Sequence, residues 1–462
     1  MATAIILGWL SLLWYRASPP GDLRTFDQPV YLSIAYDMIH LGRFTDGSGW
    51  GTPHVDPARP AGMARTPLYP AFLAGTALLD PGFNQSLSCF VQRSDAPSCS
   101  RRAPLPRTLQ FVMTVAVFLM LWRLATRATG STRIGWFSLG LGLIAAPILV
   151  RSIDTLMTET VALFFTTAAT AAAVEATKAR RPFGWFLASG VMVGLAGMTR
   201  PTFAYLLPAA AIAACILIAR CRYRLRGIAM VAAFLFGGGA VMMPWIARNF
   251  IIFGRPTLTS GYASSVLAQR VAFDLMSWHQ YGLSYLCALP DGNGMGRILI
   301  GPGACEPFQY EMRSGTFYDL GNTNFMQSTI TAAGGQEHQL TYLLHHYILA
   351  DPIWHAMVSI PMAMRGLWID HYWGMVLAIL CMPLTLRSIK YGDGAILAVT
   401  LPGWFMLAFY AAVSANSTRY NLMLFIPFSA AGGIALDHLC GQGAFRRAFS
   451  KLSFLNKRSA MD

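Results

Sequence analysis

The chain alternates between long apolar runs and polar segments rich in Pro and Gly. Runs long enough to cross a bilayer, about 20 residues and rarely below about 17, lie at roughly 106–122, 134–150, 157–177, 183–199, 201–219, 227–245, 367–386, 394–413 and 421–439. A shorter run at 3–15 is expected to be a retained first helix, because no small-x-small cleavage site precedes Pro19-Pro20. The pattern predicts an all-α integral membrane protein with about ten transmembrane helices. Two long segments, 16–105 and 246–366, mix short apolar stretches with aromatics, Pro and Gly. They are expected to be folded loops carrying helices that lie in the membrane interface.

Composition narrows the class. Of 462 residues, 55% are hydrophobic and 12% charged, against about 25% charged in soluble proteins. That excludes an ordinary soluble enzyme, a disordered chain and a secreted disulfide scaffold. The net charge is +14, yet no basic-aromatic cluster accompanies it, and no nucleic-acid partner is expected. With the N-terminus inside, the inner loops and the basic tail 441–462 hold 17 of the 35 basic residues but four of the 21 acids. The outer side, with 18 Arg and 17 acids, is almost neutral. The excess is an orientation signal that puts both termini in the cytoplasm and both long loops outside. Cys89, Cys99, Cys287 and Cys305 fall on those loops, 10 and 18 residues apart, and are candidate disulfide partners in an oxidising compartment.

Ionisable residues gather at the outer ends of the apolar runs. Asp27 heads a segment in which Val30, Ile34, Met38 and Leu41 share one helical face. It reads either as a cap for that helix or as an acid held at the membrane boundary. Arg65 and Tyr69 open a second, Pro-started helix, and His54 and Asp56 stand in the turn between the two. These last two are either solvated or join Asp27 around a substrate or cation. Asp154 and Glu159 flank the start of the 157–177 run, where a carboxylate is costly unless it faces a cavity or a cation. Arg200, Arg248 and the pair Arg419-Tyr420 sit at outer ends, and Arg270 lies in the second loop. Taken singly, each Arg can reach lipid phosphates. Converging beside a carboxylate, they suit a phosphorylated lipid, which guanidinium binds as a fork.

The early acid followed by Pro and an aromatic, then RTPLYPAFLAG, TETVALFF, GMTRPTF, PWIARNFIIFG and TRYNLMLFIP in that order, resembles the polytopic GT-C glycosyltransferases over about residues 5–440. The nearest branch is the bacterial group similar to protein mannosyltransferases and lipid A aminoarabinose transferases. The resemblance implies a GT-C-type domain over 1–440, in the bacterial inner membrane with its active site facing the periplasm. It implies transfer from a polyprenyl-phosphate sugar to a lipid, glycan or protein acceptor, with inversion. Asp27 matches the family's catalytic acid, and Glu159, Arg200, Arg248 and Arg419 match recurring positions. Arg65 stands where aminoarabinose transferases have an acidic residue, which puts a metal there in question; no cofactor is called for with certainty, and a divalent cation stays open. Mannose, galacturonic acid, arabinose and aminoarabinose all fit as sugars.

Readings from other classes are a transporter or flippase of lipid-linked sugars, and a polysaccharide ligase or polymerase. The transporter predicts related halves and polar residues near mid-bilayer; the apolar runs are nearly free of charge at their centres.

Overall fold

The computed structural model describes residues 1–17, 23, 27–47, 58–92, 103–219 and 224–441. Among them the chain is helical, without strands. In order, α1 (Ala2–Ala17), α2 (Gln28–His40), α3 (Leu68–Leu79) and α4 (Pro81–Gln92) precede the first long helix, α5 (Pro104–Thr129). Then come α6 (Thr132–Ile144), α7 (Ala146–Asp154), α8 (Glu159–Lys178), α9 (Phe183–Thr199), α10 (Leu206–Ala219) and α11 (Arg224–Phe253). The second long loop folds into α12 (Tyr262–Val271), α13 (Trp278–Cys287), α14 (Gly292–Leu299), α15 (Phe317–Asn322), α16 (Asn324–Ala332), α17 (Gln336–Leu343) and α18 (Pro352–Gly366). The chain closes with α19 (Tyr372–Tyr391), α20 (Gly394–Val413) and α21 (Phe425–Gly441).

Every apolar run becomes helix. Among the described residues six helices are long and apolar enough to cross a membrane, and α6 with α7 makes a seventh if the bent pair is one span. The remaining expected spans, α1, α9 and α10 with its preceding turn, are shorter apolar helices. The run expected as one span at 134–150 is broken by a 55° bend between α6 and α7. Pro147 lies in the first turn of α7, where its ring and missing N–H cannot continue the helix before it. Between α5 and α6 the turn is local chemistry. Gly130 takes a left-handed φ of 76° as the cap of α5, and the Ser131 side chain accepts from the Ile134 N–H to cap α6.

Packing fixes which ends meet. α9 and α11 approach through glycines: a Cβ on Gly194 would lie 2.8 Å from the Gly238 carbonyl oxygen, and one on Gly190 would collide with that of Phe234. Small residues allow helices to pack at this range in a bilayer. At one end of the bundle, Glu175 of α8 pairs with Arg123 and Arg127 of α5 at 3.2 and 2.8 Å, and Arg133 pairs with Asp437 at 3.0 Å. These contacts join helix ends that the charge pattern assigns to one face.

The helix headed by Asp27 differs from expectation. A one-sided apolar stripe against the membrane was the reading; instead Gln28 through Asp37 are all buried. Val30 and Ile34 pack with Phe44 and Trp245, while Tyr31, Leu32, Ala35 and Tyr36 pack against α3 and α4. A helix apolar on all sides belongs inside. Asp37, on the same helix, is fully enclosed and accepts from Thr45 Oγ1 at 2.5 Å and Arg59 Nη1 at 2.8 Å, tying α2 to the following loop. Cys287 and Cys305 form a disulfide between α13 and the segment after α14, with Cα atoms 5.4 Å apart. The expected partner of Cys89, Cys99, lies outside the described residues.

Candidate active site

Asp27 stands at the N-terminus of α2. Its carbonyl accepts from the Val30 and Tyr31 amides, but its carboxylate makes no capping bond. Pro29 in the first turn offers no N–H. The side chain is left to face Arg65 and Arg419, at 3.8 and 3.9 Å. Arg419 also approaches Glu159 Oε1 at 3.9 Å, and Arg200 reaches the same oxygen at 3.5 Å. Five charges thus run in sequence: Arg65, Asp27, Arg419, Glu159, Arg200. All four separations exceed the roughly 2.7–3.2 Å of an N–H···O hydrogen bond. The carboxylates are held electrostatically without being tightly chelated, and Glu159 Oε2, buried, has no hydrogen-bond partner among the described residues.

These residues come from elements far apart in sequence, all at one end of the bundle. Glu159 is the first residue of α8, Arg200 follows the last residue of α9, and Arg419 lies in the 3-10 turn Thr418–Leu424 before α21. Together with Tyr31, Thr66, Met157, Thr202, Tyr262, Tyr410 and Tyr420 they line a cleft of about 640 Å³, counting its opening to solvent. Aromatic rings fix the guanidiniums. Arg65 lies 4.1 Å over Tyr262; Arg200 lies 4.3 Å over Tyr420, with Arg419 at 5.3 Å from the same ring. Thr202 Oγ1 and the Tyr410 hydroxyl are 2.6 Å apart. Burial opposes the charge on Arg65, but Tyr31, Tyr262 and Asp27 outweigh it and hold its pKa above the ordinary value. Burial pushes the Tyr31 phenol up to about 12, with Arg65 opposing, and raises Tyr262 likewise. Both phenols stay protonated at neutral pH and can donate.

The other sequence candidates divide. Arg248 lies outside the cleft lining, donating to the Gly62 carbonyl at 2.6 Å and to Asn249 Oδ1 at 2.8 Å, and it covers Trp245 at 4.5 Å. It locks α11 to the first loop. Arg270 is wholly buried, and its donors serve the Ala411 carbonyl at 2.6 Å, Asp274 at 2.7 Å, the His355 carbonyl at 3.0 Å and Ser359 at 2.9 Å. Tyr69 is enclosed, donating to Gln110 Oε1 at 3.2 Å. Asp154 accepts from the Trp14 indole at 3.0 Å, holding α1 against α7. His54 and Asp56 lie outside the described residues. Tyr31, Tyr262 and Tyr410 are lining residues the sequence did not single out. Tyr31 was within reach, since it falls one turn after Asp27 on the same helical face; nothing local marks the other two.

The donor set argues against the divalent cation left open by the sequence. Each carboxylate already faces two guanidiniums, and among the described residues no three His, Cys, Asp or Glu side chains gather to hold a metal. With three guanidiniums to two carboxylates, the cleft suits an anion.

Residues 106–268 match the family model described as dolichyl-phosphate-mannose-protein mannosyltransferase. No curated protein sequence matches the chain significantly. Among solved structures, the chain is similar to the Archaeoglobus fulgidus oligosaccharyltransferase complexed with Zn and sulfate, with a TM-score of 0.49 and 12% identity, over 99% of this chain and 51% of that one. It is also similar to ArnT from Cupriavidus metallidurans bound to undecaprenyl phosphate, with a TM-score of 0.41 and 14% identity, over 93% of this chain and 77% of that one. The chain spans about half the length of the oligosaccharyltransferase. The chain is thus similar to this mannosyltransferase family over residues 106–268, less than half of its length, on a helical fold with six candidate membrane spans among the described residues.

Proposed function

We propose that the cleft transfers a glycosyl group from a polyprenyl-phosphate donor to a cell-envelope acceptor, on the periplasmic face of the bacterial inner membrane and with inversion. The observation that carries this reading is the row of Arg65, Asp27, Arg419, Glu159 and Arg200 at the membrane-boundary end of the helices. An acceptor hydroxyl attacks the anomeric carbon while its proton passes to the Asp27 carboxylate. The anomeric carbon–oxygen bond to the phosphate breaks, and its electron pair leaves with the polyprenyl phosphate. General-base assistance contributes about 10²–10⁴-fold. The leaving phosphate gains charge, which Arg65, Arg200 and Arg419 are placed to stabilise. The site's position at helix ends, with nothing charged at mid-span, favours this over a transporter.

The test uses purified full-length protein in lipid nanodiscs with synthetic polyprenyl-phosphate sugars. Transfer is expected, and Arg65→Gln and Arg419→Gln should each raise the donor KM about tenfold or more. Absence of both donor binding and transfer with every such lipid would overturn the proposal.

A further inference from the structure

We infer that Glu159 is a specificity-determining residue, whose free carboxylate oxygen accepts a hydrogen bond from a hydroxyl of the transferred sugar, and that this sugar carries no charge. The inference rests on the proposed glycosyl transfer and adds the class of sugar.

Two observations lead to it. The first is the orphaned atom. The Glu159 side chain is 7% exposed and forms part of the cleft lining. Its Oε1 faces Arg200 and Arg419, whereas Oε2 has no hydrogen-bond partner among the described residues. A buried acceptor left unmade is costly, and the natural complement of one on a residue that lines the cleft is a hydroxyl. The second is the charge balance of the lining, where, among the described residues, three guanidiniums face two carboxylates. One positive charge is left over, and a phosphodiester donor carries one negative. During transfer the proton that reaches Asp27 removes one negative charge from the lining, while the departing lipid phosphate gains one. The cleft therefore stays neutral from donor to product when the sugar and the attacking hydroxyl are uncharged. A uronate would set a further carboxylate against Glu159 and Asp27. An amino sugar would add a fourth cation to three guanidiniums.

The experiment compares the affinity of nanodisc-embedded full-length protein for bare polyprenyl phosphate with that for the same lipid carrying a neutral hexose, a neutral pentose, a hexuronate or an amino-pentose. The expected result is that one neutral sugar binds at least about tenfold tighter than the bare lipid phosphate. The hexuronate and amino-pentose should give no such gain. Glu159→Met, which has no acceptor oxygen, should lose most of the gain while still binding the bare lipid, which also reports that it is folded, and Glu159→Gln, which keeps one acceptor oxygen, should recover part of it. An equal gain for a charged sugar, or a gain undiminished in Glu159→Met, would overturn the inference alone. Failure of wild type to bind bare polyprenyl phosphate or any glycosylated form would overturn the glycosyl-transfer reading beneath it.

Discussion

Replacing Arg270 by Met separates a structural arginine from a phosphate ligand. The side chain is fully buried, and its guanidinium serves Asp274, Ser359 and the carbonyls of Ala411 and His355. Met retains the volume but none of the donors. Asp274 keeps His355 Nδ1 at 2.7 Å and loses its charged partner; breaking a buried pair in this way costs about 3–5 kcal/mol. The two carbonyls add to that, but neighbouring losses are not additive, so about 3–5 kcal/mol is the figure to test. At the roughly 1–2 °C per kcal/mol that entropy scaling gives a chain of this size, thermal unfolding in detergent should shift down by about 3–10 °C. The second long loop, which the network ties to α20, should become more sensitive to protease. Donor KM of the folded fraction should stay near wild type. An Arg270→Met protein of unchanged stability whose donor KM rises tenfold would refute the reasoning and return Arg270 to the phosphate site.

Three further outcomes follow from the packing and the cleft. Gly190→Ala should destabilise by about 1–3 kcal/mol through overpacking, because the added methyl collides with the Phe234 carbonyl; a melting temperature equal to wild type would contradict the α9–α11 contact. Removing the Cys287–Cys305 bridge with paired Ser substitutions should lower stability by about 2–4 kcal/mol, and reductant should destabilise wild type by more than it destabilises the variant. Arg248→Gln should loosen the first loop, through loss of its bonds to Gly62 and Asn249, and lower the melting temperature while leaving donor KM within about twofold. A large rise in KM at unchanged stability would move Arg248 into the cleft.

What the sequence revealed about this site depended on the kind of signal each residue gives. Asp27 was visible because an acid heads the Val30–Ile34 helical face ahead of Pro29, and Glu159 because a carboxylate that opens an apolar run is costly. Arg248 and Arg270 read the same way as Arg200 and Arg419, all basic residues that the charge pattern assigns to one side. Their acceptors include backbone carbonyls supplied by residues as distant as Gly62 and Ala411, so only tertiary packing separates anchors from ligands. Tyr262 and Tyr410 were invisible for a related reason: a tyrosine near a span end is ordinary at a membrane interface. The enclosure of α2 escaped the periodicity because the Val30–Ile34 face could be seen while its opposite face, packed on α3 and α4, carries apolar residues too. The bend ahead of Pro147 was legible from that residue, yet the hydrophobicity of the run masked it.

The most direct test is single-turnover transfer by wild type and Asp27→Asn with a saturating polyprenyl-phosphate sugar. Asn keeps the size of the side chain and can still touch Arg65 and Arg419 through its carbonyl, but it cannot take the acceptor's proton. Donor affinity should change by less than about tenfold, while the transfer rate should fall by about 10²–10⁴-fold. Full transfer by a folded Asp27→Asn protein would contradict the assignment of Asp27 as the base.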